Sequence, residues 1–199
     1  MIQSRYPTDS RSPVGSPGFR RLVNTAVVAA TLAVGLGGSS LSFAGPSQEP
    51  AGRLTCTDPR AFHDGDTFTC GHEAGFVRVR VAGIDAPETG QGFWRVSRDL
   101  LRKRAIPGTV VDCYKVDAYE RQVCRVASPT GADIPLELVQ TGLAWHSRKY
   151  AFEQQPEERE RYEAAEALAR ERELGLWSQS DPQEPTECRA LRKQRQKCR

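Results

Sequence analysis

VRVRVAGIDAPET, residues 77–89, opens as a strand and closes as an acidic turn. Val77, Val79 and Val81 alternate with Arg78 and Arg80, the period of two that sets one face of a strand in a core and the other toward water. Pro87 has no N–H to give a ladder and pushes Ala86 away from helical angles, so the chain leaves the strand in an extended kink. Asp85 and Glu88 stand on either side of that proline, and the Ala86 carbonyl is freed from strand pairing. Two carboxylates and a carbonyl are hard oxygen donors, the ligands of Ca²⁺ or Mg²⁺ rather than of zinc. Turns also use Asp for local hydrogen bonds, so this segment alone fits a solvated turn equally well.

The flanking sequence shifts that balance. Upstream lies DGDT, Asp64 to Thr67. Asp-Gly is a preferred hairpin turn, so Asp64 and Gly65 need no function. Asp66 falls where a strand should begin, a position from which Asp is depleted. Arg80 lies on the strand that leads to Asp85, and Arg121 follows a second turn, DAYER. A guanidinium matches two phosphate oxygens and keeps its charge. A divalent cation, two such arginines and a spare carboxylate to activate water form a set able to hydrolyse a phosphodiester. Arg78 reads as a solvated side chain.

Further along, TFTC reads as a strand after the DGD turn, and TVVDCYKV and QVCRVAS flank DAYER as a second hairpin. Ser97–Ala105 reads as a short helix stopped by Pro107-Gly108. IPLELVQTGLAW places Leu136, Val139 and Leu143 at helical spacing, with Gly142 to close the helix. Glu157–Leu174 reads as the longest helix, with Ala164, Ala165, Leu168, Ala169 and Arg172 on related turns. Trp145 and Trp177 read as core. About five strands with helices in the middle and at the end make a small α+β barrel-plus-helices domain.

The chain has 199 residues, enough for one globular domain with tails. Its formal net charge is +3, but Arg5, Arg11, Arg20 and Arg21, against Asp9 alone, lie before residue 45, so the remainder is neutral. Bulk charge therefore gives no argument for a nucleic-acid partner; the placement of charges must. Residues 1–44 read as an export signal: Arg20-Arg21, the apolar run LVNTAVVAATLAVGLGG, and the small-residue cleavage pattern SFA. The paired arginines and the long polar lead permit twin-arginine export, although Phe19 departs from that motif. Residues 45–53 read as a linker, 54–178 as the folded domain, and 179–199 as a polar, mobile tail. From Arg189 onward the tail holds six basic residues and no acidic one, fit to hold a polyanion or to stay solvated.

All six cysteines follow the cleavage pattern, an even count that suits disulfides in an oxidising compartment. Cys113 and Cys124 face each other across the DAYE turn, Cys56 and Cys70 bracket HDGDT, and Cys188 and Cys198 are left to pair in the tail. No Cys-x-x-Cys occurs, and His63, His72 and His146 lack ligand spacing, which disfavours zinc.

The ordered set DGDT, RVRVAGIDAPET, DAYERQVCRV, LVQTGLAW and ARERELGLW resembles the staphylococcal nuclease (thermonuclease) family, from about Leu54 to Ser178. The resemblance implies a five-stranded OB-fold barrel with about three helices, dependence on Ca²⁺, and endonucleolytic cleavage of DNA and RNA, with preference for single-stranded or open regions. By position it implies Asp66, Asp85 and the Ala86 carbonyl as Ca²⁺ ligands, Glu88 as general base, and Arg80 and Arg121 as the arginines that bind the phosphate. Tyr119 and Tyr150 are candidates to flank a base or sugar, since aromatic faces suit unstacked strands. Four positions depart from the family pattern: Ala86 stands where Thr is frequent, Glu120 replaces a turn glycine, Ala118 replaces a nucleotide-contacting lysine, and Arg148 replaces a tyrosine. The expected protein is a monomeric enzyme, periplasmic or extracellular; the alternative is a non-catalytic module of the same fold that binds nucleic acid or protein.

Overall fold

The computed structural model describes residues 49–198. The residues read as an export signal lie outside them. Six strands form one sheet in the order β1-β6-β7-β4-β3-β2: β1 (Gly52–Cys56), β2 (Asp58–Arg60), β3 (Thr67–His72), β4 (Gly75–Val81), β6 (Thr109–Val116) and β7 (Gln122–Ala127). A separate ladder pairs β5 (Ile84–Asp85) with β8 (Trp145–His146). Among the described residues the α-helices are α1 (Trp94–Arg104), α2 (Ile134–Gln140), α3 (Pro156–Glu171) and α4 (Pro185–Lys193). The α+β class and a curled, half-barrel sheet agree with expectation; the strands outnumber the expected five, and β1 begins at Gly52, inside the stretch read as linker.

The alternation of β4 is realised as read. Val79 and Val81 are fully buried, Val77 is half-buried, and Arg78 is exposed. They pack with Phe68, Ile84, Val111, Val126, Leu101, Ile134, Leu138 and Tyr162 in one core. The pairing of β4 decides what reaches the site. Its antiparallel register with β3 sets Arg80 opposite Thr67, and its parallel register with β7 sets Arg80 beside Val123, two residues past Arg121. Three pieces of chain distant in sequence therefore come together at one end of three adjacent strands.

Local chemistry explains the connections. The turn before β7 is built by Asp117, whose Oδ1 accepts the N–H groups of Tyr119 at 2.9 Å and Arg121 at 3.0 Å. Glu120, where the family pattern has glycine, takes a left-handed φ of 61°. Asp133 caps α2 by accepting from Leu136 N at 3.1 Å. Gly142 and Gly175 bring two loops into direct backbone contact, with Leu176 N–H donating to Gly142 O at 2.8 Å; a Cβ on Gly142 would lie 2.2 Å from Leu174 O. Above that contact Trp145 and Trp177 meet edge to face, their centroids 5.6 Å apart, in a second cluster with Leu176 and Ala169.

All three disulfides join the expected partners: Cys56–Cys70, Cys113–Cys124 and Cys188–Cys198. Cys113 and Cys124 sit directly opposite in the β6–β7 register.

Three expectations need correction. α1 starts at Trp94, three residues before Ser97. The inner face of α3 is Tyr162, Ala165, Glu166 and Ala169, whereas Ala164, Leu168 and Arg172 face water. Apolar count misplaces this face because its largest polar member, Glu166, is buried and accepts from His146 N at 3.2 Å and Arg148 Nη2 at 2.8 Å. The tail is not a simple mobile stretch: α4 forms in it, with Pro185 and Cys188 buried.

Candidate active site

The DGD turn is pressed onto the acidic kink at Gly65. A Cβ at Gly65 would lie 1.8 Å from Ser97 Oγ and 2.9 Å from Ala86 Cβ, so only glycine lets the turn approach α1 and Ala86 this closely. Asp66, held there, accepts the Ala86 N–H at 2.8 Å on Oδ2 and the Thr67 hydroxyl at 2.9 Å on Oδ1. This bond ties the two acidic segments together across 20 positions of sequence.

Arg80 lies between the carboxylates. Its Nη2 stands 3.4 Å from Asp66 Oδ2 and 3.2 Å from Asp85 Oδ1, and its Nη1 also donates to Val81 O. Arg121 joins from the β7 side, donating from Nη1 to Thr67 Oγ1 at 3.3 Å and from Nε to Asp117 Oδ2 at 2.8 Å. Glu88 completes the group: its N–H donates to Gln91 Oε1 at 2.8 Å, and its carboxylate shares a guanidinium with Asp85. Asp66, Arg80, Asp85, Glu88 and Arg121 thus form one connected cluster. Tyr150 lines the same cavity, of about 150 Å³, as Arg80 and Asp85. Tyr119 is exposed, with the Arg121 guanidinium 5.5 Å from its ring centre.

The cluster is crowded with buried carboxyl groups. Asp64, Asp66 and Asp85 are all buried. Burial, and next the nearby Asp66 carboxylate, pushes Asp64 up to about 8, despite the Asp66 N–H that its Oδ1 accepts at 3.0 Å. Burial also raises Asp85, against the pull of a hydrogen bond from Arg189, and Asp66 raises it further. Asp66, Asp85 and the Ala86 carbonyl are hard oxygens, the donor type that could hold a Ca²⁺ or Mg²⁺ ion. Among the described residues, however, no three His, Cys, Asp or Glu side chains are grouped as a ready metal cage. Arginines take their oxygens instead.

Those arginines include two that the sequence pattern did not single out. Arg189 donates from Nη1 to Asp85 Oδ1 at 3.1 Å and to Glu88 Oε1 at 2.7 Å, and from Nη2 to Asp85 Oδ2 at 2.7 Å. Arg192 donates from Nη1 to Glu88 Oε2 at 3.1 Å, and its Nη2 reaches Thr89 O. Nothing in the tail's composition pointed to them, because their partners lie 101 or more positions away. Asp64 carries no sequence signal of its own, because an Asp-Gly turn accounts for it by turn chemistry alone.

Residues 78–179 match the family described as staphylococcal nuclease homologue. The chain is 36% identical over 139 residues to the micrococcal nuclease of Shigella flexneri, covering 65% of this chain and 78% of that one. It is 32% identical over 123 residues to an uncharacterized endonuclease of Escherichia coli O157:H7, covering 61% of this chain and 76% of that one. A similar endonuclease of Haemophilus influenzae is 33% identical over 134 residues, covering 65% and 70%. The chain belongs to the staphylococcal nuclease family.

Proposed function

We propose that the protein is an exported, Ca²⁺-dependent nuclease that hydrolyses phosphodiester bonds of DNA and RNA in single-stranded or locally open regions. The observation that carries the reading is the linkage of Asp66, Arg80, Asp85, Glu88 and Arg121 through hydrogen bonds and ion pairs at one end of adjacent strands. Export is supported by the three disulfides, which suit an oxidising compartment. Among the described residues no helix is long and apolar enough to cross a membrane.

In this reading Asp66, Asp85 and the Ala86 carbonyl hold the cation, whose contribution when bound is to neutralise charge on the phosphate. Arg80 and Arg121 take phosphate oxygens, two donors each, and stabilise the extra negative charge of the five-coordinate phosphorus. Arg121 arrives pre-aimed, because Asp117 fixes both its backbone and its guanidinium. Glu88 removes a proton from the attacking water, whose oxygen bonds to phosphorus as the opposite P–O bond breaks; the departing oxygen takes a proton from solvent. Tyr119 and Tyr150 offer aromatic faces to flank a base or sugar of the substrate.

Glu88→Gln tests the assignment. It keeps the shape of the side chain and removes the base, so cleavage of denatured DNA should fall at least about 100-fold while oligonucleotide binding persists. Full activity in Glu88→Gln would refute the assigned base. A non-catalytic binding module would bind the oligonucleotide and leave it intact with any divalent cation.

A further inference from the structure

We infer that α4 is an internal competitor of the divalent cation: Arg189 takes the oxygens of Asp85 and Glu88 that cation and water need, and the helix must swing away before the enzyme can act. The inference rests on the reading of Asp85 and Glu88 as cation ligand and general base.

The contact is built, not incidental. Arg189 makes three hydrogen bonds to the two carboxylates and Arg192 a fourth. Both oxygens of Asp85 and both of Glu88 are engaged. A guanidinium is a fixed positive charge whose planar fork suits carboxylates, so it satisfies the same demand for charge that the cation would. A divalent cation on the same carboxylates would face the guanidinium's fixed positive charge at close range, so the two oppose each other there. Docking is reinforced by buried Gln91: its Oε1 accepts from Glu88 N, and its Nε2 donates to Gln183 O at 2.8 Å, just ahead of the helix. Pro185, Thr186 and Arg189 also wall the cavity that holds Arg80, Asp85 and Tyr150, so the docked helix narrows the cleft as well as filling its carboxylates.

The helix is equally suited to leave. It has nine residues, too short to be stable without packing. Residues 179–184, which join it to the domain, form no helix or strand. The Cys188–Cys198 bridge closes the tail upon itself and makes no covalent tie to the barrel. The tail can therefore move as one stapled unit. It also lies beyond residues 78–179, the part that matches the family.

Arg189→Gln in the full chain, followed by calorimetric titration with Ca²⁺ in the absence of nucleic acid, tests the inference. The substitution removes the charge from a partly exposed helix position and should tighten Ca²⁺ binding at least tenfold; Arg192→Gln should tighten it less. Hydrogen exchange of the parent provides a readout without mutation: Ca²⁺ should speed exchange of the amides of residues 186–193 and leave β6 and β7 unchanged. Cleavage by Arg189→Gln should exceed the parent at low Ca²⁺ and match it at saturation. Unchanged or weaker Ca²⁺ affinity in Arg189→Gln, or slower exchange of α4 with Ca²⁺, would overturn the inference while Ca²⁺-dependent cleavage by the parent left the active-site reading standing. Absence of Ca²⁺ binding by parent and variant alike would overturn both.

Discussion

Gly65→Ala should damage fold and site together. The added Cβ would lie 1.8 Å from Ser97 Oγ and 2.9 Å from both Ser97 Cβ and Ala86 Cβ. Contact between carbon atoms needs about 3.5 Å, so even with the Ser97 hydroxyl rotated aside, α1, the kink or the DGD turn must retreat by about 0.6 Å. Ser97 is fully buried on α1 and Ala86 sits at the kink, so neither yields freely. Overpacking of this kind costs about 1–3 kcal/mol, which lowers Tm by roughly 3–10 °C in a domain of this size. The retreat also carries Asp66 away from Ala86 N, and a misplacement of about 1 Å can cost about 100-fold in rate. Urea unfolding and a single-turnover cleavage assay measure the two effects. Ser97→Ala supplies the control: its hydroxyl is buried and has no partner among the described residues, so removing it should leave stability equal or higher. In the double variant the closest contact is gone, and about 1 kcal/mol of the Gly65→Ala loss should return. If Gly65→Ala unfolds within about 0.5 kcal/mol of the parent and cuts at the parental rate, the close approach has no consequence and the reasoning fails.

Glu120→Gly should raise stability by up to about 1 kcal/mol in thermal unfolding, since it relieves a left-handed φ at a side-chain-bearing residue; a lower Tm would contradict this. Glu166→Ala should lower stability by about 1–3 kcal/mol in urea, because it orphans the buried His146 N–H, while the rate per folded molecule is kept. Tyr119→Ala should leave stability within about 0.5 kcal/mol and raise KM for single-stranded DNA; an unchanged KM would remove Tyr119 from the substrate path.

The parts of the molecule that were legible in sequence are those set by neighbours. β6 matches TVVDCYKV residue for residue because its alternation is local. The three disulfides were readable because each pair brackets one turn or one tail segment. The candidate site was legible as a list of residue types, but its assembly depends on the parallel pairing of β4 with β7, which no local pattern reports. α3 shows where residue type misleads: alanines occur on both faces, so apolar count cannot orient the helix, and the buried Glu166 inverts the usual rule that carboxylates face water. The tail shows the same limit for charge. Six basic residues in a row of polar ones look solvated until Asp85 and Glu88 are placed beside them.

The most direct test of the central claim is digestion of denatured DNA by the purified, oxidised protein in Ca²⁺, with and without a chelator in excess. One shared site for cation and phosphate predicts progressive cleavage in Ca²⁺, none in chelator, and full recovery when Ca²⁺ is restored. DNA left intact in Ca²⁺, or cut at the same rate in chelator, would contradict it.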